Sequence, residues 1–515
     1  MSRSGKCGDF FLSGEEKKGM RKVKKIFSDG YLTVFLSMIA AVLLSLFLAL
    51  IEGARYRTAW FEAACVTDIG LNSILAEYHC ELLDQYNVFA IDSSYLTEYA
   101  AKANTERHLR EYIDRNLSVE GIFLADLLYR DFLKMNAEKV EITGVSMLSD
   151  NNGEVFRKCA VNAIKDDVGI AMLEDLKNWM EEVELNNLDG KDLEAEKDAV
   201  DTEIEQRIRE IREYNQKQKD KKDIEDEYED YQSPTAFLDG IRKQGILKLT
   251  INDPGSLSGK KINAQDLIES RIQRDQISMG NMPVRGNTAL ENVEEQFFFH
   301  EYLIKYLGCF GREKEDGALD YQLEYLLGGK EDDIANLRIT ANRICLLRES
   351  ANVLYLYSDD VKSGQADALA AVIAFLTGAP EVKDLIKTSI ILGWAYAESI
   401  YDVKMLFSGG KIPLMKSDDT WHYSLTNALS LWSEEEDYKT GLSYEDYLRV
   451  ILMLEDSDRL TMRAMNMIEA DIRETKENKN FRLDACYSAV KVFVKIKSHF
   501  GYSFEMTREK SYEPD

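Results

Sequence analysis

Histidine is scarce, with five residues scattered over a chain of 515, and a multi-histidine metal site therefore has no material. Six prolines against 30 glycines exclude a collagen-like, mucin-like or proline-rich stalk. The seven cysteines show no CxxC and no regular spacing, so a disulfide framework is not indicated. Positive charge is in deficit. Lys and Arg number 64 against 91 Asp and Glu, and the net charge of −27 repels phosphate backbones, so nucleic acid is not an expected partner. Catalytic motifs are missing as well. His300-Glu301 opens like a zinc-protease helix, but Ile304 stands where the second histidine belongs. Gly255 to Lys261 reads GSLSGKK, with one residue too few between its glycines for a P-loop and a lysine where that loop needs Ser or Thr. There is no GxSxG, and the acidic stretch lacks the ligand spacing and central glycine of a calcium loop. These absences predict no turnover, no cofactor and no metal.

What is present is globular: 45% hydrophobic and 30% charged residues exclude a wholly disordered chain. Tyr31 to Ile51, YLTVFLSMIAAVLLSLFLALI, carries no charge and no polar face. Its 21 residues span about 31 Å as a helix, the thickness of a bilayer's hydrocarbon core. Lys17, Lys18, Arg21, Lys22, Lys24 and Lys25 precede it, and the positive-inside rule keeps that end in the cytoplasm. The run continues into Glu52-Gly53-Ala54-Arg55 without a small-x-small site, so it reads as a signal anchor rather than a cleaved signal. The expected location is the cell membrane, single-pass, with the C-terminal bulk extracellular.

The expected fold class is α+β, helix-dominated. A long N-terminal transmembrane helix continues into an exported domain with a small antiparallel sheet. Phe61, Ala64, Leu71, Leu75, Tyr78 and Leu82 extend an amphipathic stripe beyond the membrane, predicting one helix from about Tyr31 to about Leu83 that carries both Cys65 and Cys80. Consecutive segments follow: a basic leader at 1–30, the transmembrane helix at 31–51, and a juxtamembrane helix with the first part of the exported domain at 52–180. An acidic helical arm spans 181–232, a strand and mobile loop 233–289, and a helix-rich part with a closing β-hairpin 290–515. Within these, helices are expected near 95–115, 120–134 and 154–184, and strands near 138–148, at Ile246 to Ile251 and at Asp320 to Leu326. Further helices are expected at about 290–309, 332–357, 363–377, 381–406, 443–456 and 458–477. Alternation of Val490, Val492, Val494 and Ile496 with Lys491, Lys495 and Lys497 predicts a half-buried strand, turning at His499-Phe500-Gly501 into Tyr502 to Thr507. The arm holds 20 acidic and nine basic residues, and its thin stripe of Ile204, Ile208 and Ile211 predicts a solvated helix that contributes little to the core. Two GGK triplets, Gly328 to Lys330 and Gly409 to Lys411, read as turns closed by a left-handed glycine. Trp394, Tyr396, Glu398 and Asp402 lie on a strongly apolar helix, where Glu398 reads as a buried acceptor that positions a neighbour, or as a functional acid.

The residues GYLTVFLSMIAAVLLSLFLALIEGARYRTA and LAEYHCELLDQYNVFAID, with LDYQLEYLLGGKEDDIANL, ILGWAYAESIYDVKMLFSGGKIPLMK and GLSYEDYLRVILML further on, carry a resemblance. The chain resembles an uncharacterised family of Gram-positive bacterial proteins encoded with Tad (Flp-type) pilus machinery. That family is similar to the TadE/TadG pseudopilin-like membrane proteins. The resemblance implies a membrane-anchored structural or assembly component of such a pilus, acting by binding and placement. The implied partners are the lipid bilayer, other pilus assembly subunits and pilins, and a prepilin peptidase. Prepilin-type processing would fall after Gly30, leaving Tyr31 first. The fifth mature position, Glu in type IV pilins, is Phe35, which points to an accessory component rather than the main fibre subunit. An envelope scaffold or sensor, or a membrane-anchored cell-envelope enzyme, is the alternative.

Overall fold

The computed structural model describes residues 14–97, 99–118, 133–189, 192–219, 229–274, 276, 279–283, 292–428 and 440–512, with the backbone alone over 14–30. The chain is α+β and helix-dominated, with one long N-terminal apolar helix and a small antiparallel sheet of four strands. In chain order the elements are α1 (Gly14–Leu75), α2 (Cys80–Tyr86), β1 (Ile91–Asp92), α3 (Lys102–Leu117), β2 (Met135–Met147), α4 (Asp150–Ile164), α5 (Ile170–Leu185) and α6 (Leu193–Lys219). Next come α7 (Ala236–Arg242), α8 (Ile246–Thr250), α9 (Ile268–Gln273), α10 (Asn292–Tyr306), α11 (Gln322–Gly328), α12 (Asp333–Ser358) and α13 (Asp360–Leu376). The series ends with α14 (Lys383–Phe407), α15 (Leu425–Ala428), α16 (Tyr444–Met453), α17 (Ser457–Glu474), β3 (Cys486–Ser498) and β4 (Ser503–Ser511). The strand order is β1-β3-β2, with β4 also on β3.

Two compact units divide the chain, and both are discontinuous in sequence. The hairpin unit takes residues 1–73, 106–141 and 492–508. Here the second half of α1 buries Ala59, Ala63, Val66 and Leu71. Gly70 lets α1 approach α3 closely, since a Cβ there would stand 2.9 Å from Ile113 Cγ1. Arg508 pairs with Asp68 at 3.1 Å, and the rings of Tyr502 and Phe504 lie 5.4 Å from that of Tyr56. The expected alternation on β3 is observed, with Val490, Val492, Val494 and Ile496 buried and Lys495 and Lys497 turned outward.

The helical unit takes residues 74–105, 142–491 and 509–515. Its axis is α14, buried on every face from Ser389 to Val403, which explains why this helix shows no polar stripe in the sequence. The helices α12, α13 and α6 pack around it. Side-chain caps set the helix starts: Asp332 accepts from the Ala335 amide and Asp456 from that of Arg459, and a reciprocal Ser443–Asp446 box opens α16.

Six local expectations are corrected. The long helix ends at Leu75, because the His79 amide bonds to Ala90 O (2.9 Å) and its ring caps a new helix at Leu82 N (3.2 Å), so Cys65 and Cys80 sit on different helices. The predicted 154–184 helix breaks after Ile164 and restarts behind Gly169. Ile246 to Ile251 is not a strand but α8, which buries Ile246, Leu247 and Thr250 at helical spacing and returns the Thr250 hydroxyl to Ile246 O (2.9 Å). Asp320 to Leu326 likewise becomes α11, closed by Gly329 at φ +63°. The acidic arm is not solvated on all sides. Ile204 and Ile208 on α6 are fully buried against the helical core, and Ser389 on α14 donates to Asp201 at 2.5 Å. Beneath them Lys197, 2% exposed, pairs with Asp201 and Asp239, both at 2.7 Å. The "mobile" stretch is also held over its described part: Arg271 is buried and forks onto Glu469 (2.8 and 2.7 Å) while reaching Asp484 (2.7 Å). The expected helix at 120–134 falls mostly outside the described residues.

Candidate functional site

The first candidate is the surface of α1. From Tyr31 to Ile51 the large apolar side chains are exposed all round, and this one helix is long and apolar enough to cross a membrane. Gly30 lies inside α1. Tyr31 is 77% and Phe35 60% exposed, so neither serves the fold of the described residues, and both face whatever surrounds the helix. A span that is bare on every side is suited to lipid or to other membrane helices, and unsuited to water.

The second candidate is the acid pair on α14. Glu398 and Asp402 stand one turn apart, and both are fully buried. Lys416 donates to Glu398 Oε1 at 2.7 Å and lies 2.7 Å from Asp402 Oδ1. The amides of His422 and Tyr423 donate to the two Glu398 oxygens, each at 2.9 Å. Asp402 Oδ2 accepts from Arg348 Nε (3.0 Å) and Asn352 Nδ2 (3.2 Å). Arg348 also reaches Leu414 O and Tyr447 Oη. Two carboxylates thus face two cations, and the cluster is charge-balanced without water. Burial alone would raise the Asp402 pKa, but Lys416 and Arg348 together hold it below the ordinary carboxylate value. The Trp394 and Trp421 indoles both donate to Tyr423 O, and His422 lies flat on Tyr401 at 3.7 Å. Glu398 is therefore spent in pinning the 412–423 segment to α14. Both of its oxygens are taken up by donors of the protein itself and stand away from solvent.

The remaining motifs resolve as structure. His300 is buried, and burial pushes its pKa down to about 4, which leaves a neutral ring against Met453 Sδ at 3.0 Å. Glu301 pairs with Arg449 at 2.8 Å. In GSLSGKK the Ser258 hydroxyl donates to Asp333 (2.6 Å), Lys260 to Asp320 (2.7 Å), and Lys261 pairs with Asp332 (3.1 Å). The two lysines line a cleft of about 650 Å³, but their charges are already matched. Both GGK triplets are helix-ending turns, with Gly329 at φ +63° and Gly409 at φ +87°. Among the described residues no group of three or more His, Cys, Asp and Glu side chains is placed to hold a metal ion. One group that no catalytic or metal-binding motif marks stands out. Glu324 on α11 is fully buried, accepts from Phe310 N (2.9 Å) and Tyr444 Oη (2.7 Å), and leaves Oε2 without a partner. Burial, only partly offset by those bonds, pushes its pKa up to about 7.

No curated protein and no solved structure matches the chain. The model of a family of unknown function, DUF5702, matches residues 224–498. The match runs from the end of the acidic segment through the α14 ionic centre to β3 and covers more than half of the sequence, so the chain belongs to this family.

Proposed function

We propose that the protein is a membrane-anchored, extracytoplasmic component of a Tad-type pilus that acts by binding and placement, without turnover. The observation that carries this reading is α1 itself. One unbroken helix is bare from Tyr31 to Ile51 and then buries Ala59, Ala63 and Leu71 in a folded unit. At about 1.5 Å per residue its 62 residues extend about 93 Å, so the folded part is joined to the anchor by a rod rather than a tether. Such a joint ties the position of the hairpin unit to that of the membrane segment. The basic flank before Gly30 supports a cytoplasmic N-terminus. Ala40, Ala41 and Ala49 supply small surfaces on which other membrane helices can pack.

The test exchanges residues 31–51 for an unrelated transmembrane segment of equal length. Pilus assembly is expected to fail although the protein is made and exported. Normal assembly with the exchanged anchor, or after deletion of the gene, would refute the pilus role and leave a membrane-held scaffold. Protease added to wall-stripped cells should digest the C-terminal bulk, and protection would reverse the orientation. N-terminal sequencing that finds Tyr31 first supports processing after Gly30, and an intact Met1 rejects it.

A further inference from the structure

We propose that the β3–β4 hairpin tip and the first turns of α1 beyond Ile51 form a second membrane contact, a basic and aromatic face lying against anionic lipid headgroups. The inference rests on reading Tyr31 to Ile51 as the membrane span.

The tip is fastened to the helix just where the apolar run stops. The Arg55 guanidinium carbon stands 4.5 Å from the Phe500 ring centroid, the Tyr502 hydroxyl donates to Glu52, and the Tyr502 ring meets Tyr56 edge-on at 5.4 Å. Height follows from helix geometry. Tyr56 stands about 7.5 Å beyond Ile51, and a bilayer's headgroup layer is roughly 5–7 Å deep on each side. A tip clamped at residues 52–56 therefore lies at headgroup level whenever the span is in place.

The chemistry of the tip matches that level. Tyr56 and Phe500 are 49% and 44% exposed, although neither belongs to the span. Aromatic rings of this kind favour the membrane–water boundary. Arg55, Arg57, Lys134 and Lys497 surround them, against Glu52 and Glu138. Lys134 O accepts from the His499 amide at 3.0 Å, and Lys497 reaches Glu138 at 2.9 Å, which places both lysines at the tip. Four cations against two carboxylates make this face locally positive on a chain of net charge −27, and beside the span anionic lipid headgroups are the complementary charge.

The test uses the full chain reconstituted in vesicles of equal parts phosphatidylcholine and phosphatidylglycerol. W60F/F500W places one new indole at the tip, and W60F alone gives the background. Lipids carrying a nitroxide on the headgroup should quench the added emission at least about two-fold, and mid-chain nitroxides much less. The quenching should weaken in pure phosphatidylcholine and with R57E/K497E. Where F500W does not fold, H499W on the same exposed turn carries the probe. Added emission that ignores every lipid nitroxide, in a chain that resists alkaline carbonate extraction, overturns the contact while leaving the span intact. Extraction by carbonate removes the span and the contact with it. Equal quenching in neutral vesicles overturns the assignment to anionic lipid.

Discussion

Glu398→Gln tests whether the α14 cluster is a structural centre. The change removes one of two negative charges from a group with two cations and leaves Lys416 and Arg348 facing Asp402 alone. Every member is fully buried, so water cannot screen the excess. Breaking such a pair costs about 3–5 kcal/mol. Lys416→Met strands one negative charge instead and should cost a similar amount. The double variant restores balance, since Arg348 and Asp402 remain a matched pair. Its loss should fall short of the sum of the singles by at least about 2 kcal/mol. Denaturant unfolding of the full chain in detergent, followed by tryptophan emission, gives all three values. Trp394 and Trp421 report locally, because both bond to Tyr423 O, the residue whose amide Glu398 holds. Strictly additive losses, or E398Q as stable as the parent, would refute the charge-balance argument and reopen Glu398 as a functional acid.

Other consequences are as direct. Ile204→Ala and Ile208→Ala should each destabilise by about 2–4 kcal/mol, as buried core truncations do, and loss of the acidic segment should lower the thermal midpoint rather than leave it unchanged. Arg271→Met strands the buried Glu469 and Asp484 and should cost about 3–5 kcal/mol, and limited proteolysis should then cut between residues 252 and 274. Glu324 holds its proton more tightly when folded, so its contribution is complete below the unfolded value near 4.5 and is lost as pH rises through about 7. Stability measured against pH should therefore fall across that window by on the order of 3 kcal/mol more in the parent than in Glu324→Gln. His300 acts in the opposite sense, since its buried neutral ring loses stability as pH falls from the unfolded value near 6.5 toward 4, and the glutamine variant isolates the Glu324 share.

The helices α10, α12 and α17 and the closing hairpin were legible because their periods are set within one element. Val490 to Ile496 alternates whatever its neighbours are, and α12 or α17 repeats its apolar residues over enough turns to exclude a strand. Short runs carry no such redundancy. ILKLTI fits either period, and its choice of helix depends on the turn at Gly245 and on burial beside α14. The status of the acidic segment was hidden for another reason. Its stripe is narrow because its charged flanks are themselves paired, as Lys197 with Asp201 and Asp239, and the surface that covers it comes from residues nearly two hundred positions later. The α14 centre shows the same limit. Glu398 and Asp402 could be singled out from their place on an apolar helix, but nothing local marks Arg348 or Lys416 as their partners. Glu324 sits in an ordinary-looking segment, and only burial makes its carboxyl unusual.

The composition of the hairpin unit has a consequence for the order of events in synthesis. Its first piece ends at Ser73 and its last begins at Val492, so the two are separated by about 420 residues of chain. At ribosomal speeds of roughly 5–20 residues per second, the far half of α1 waits about 20–80 s for the strands that complete its unit. During that interval the face that carries Ala59, Ala63, Val66 and Leu71 stands without part of its cover. A nascent chain in this state is open to proteolysis and to pairing with a neighbour's hairpin, and a premature stop anywhere before residue 492 would make the condition permanent. The strands of residues 492–508 thus decide when the unit closes, since the helix that opens it is made more than four hundred residues earlier.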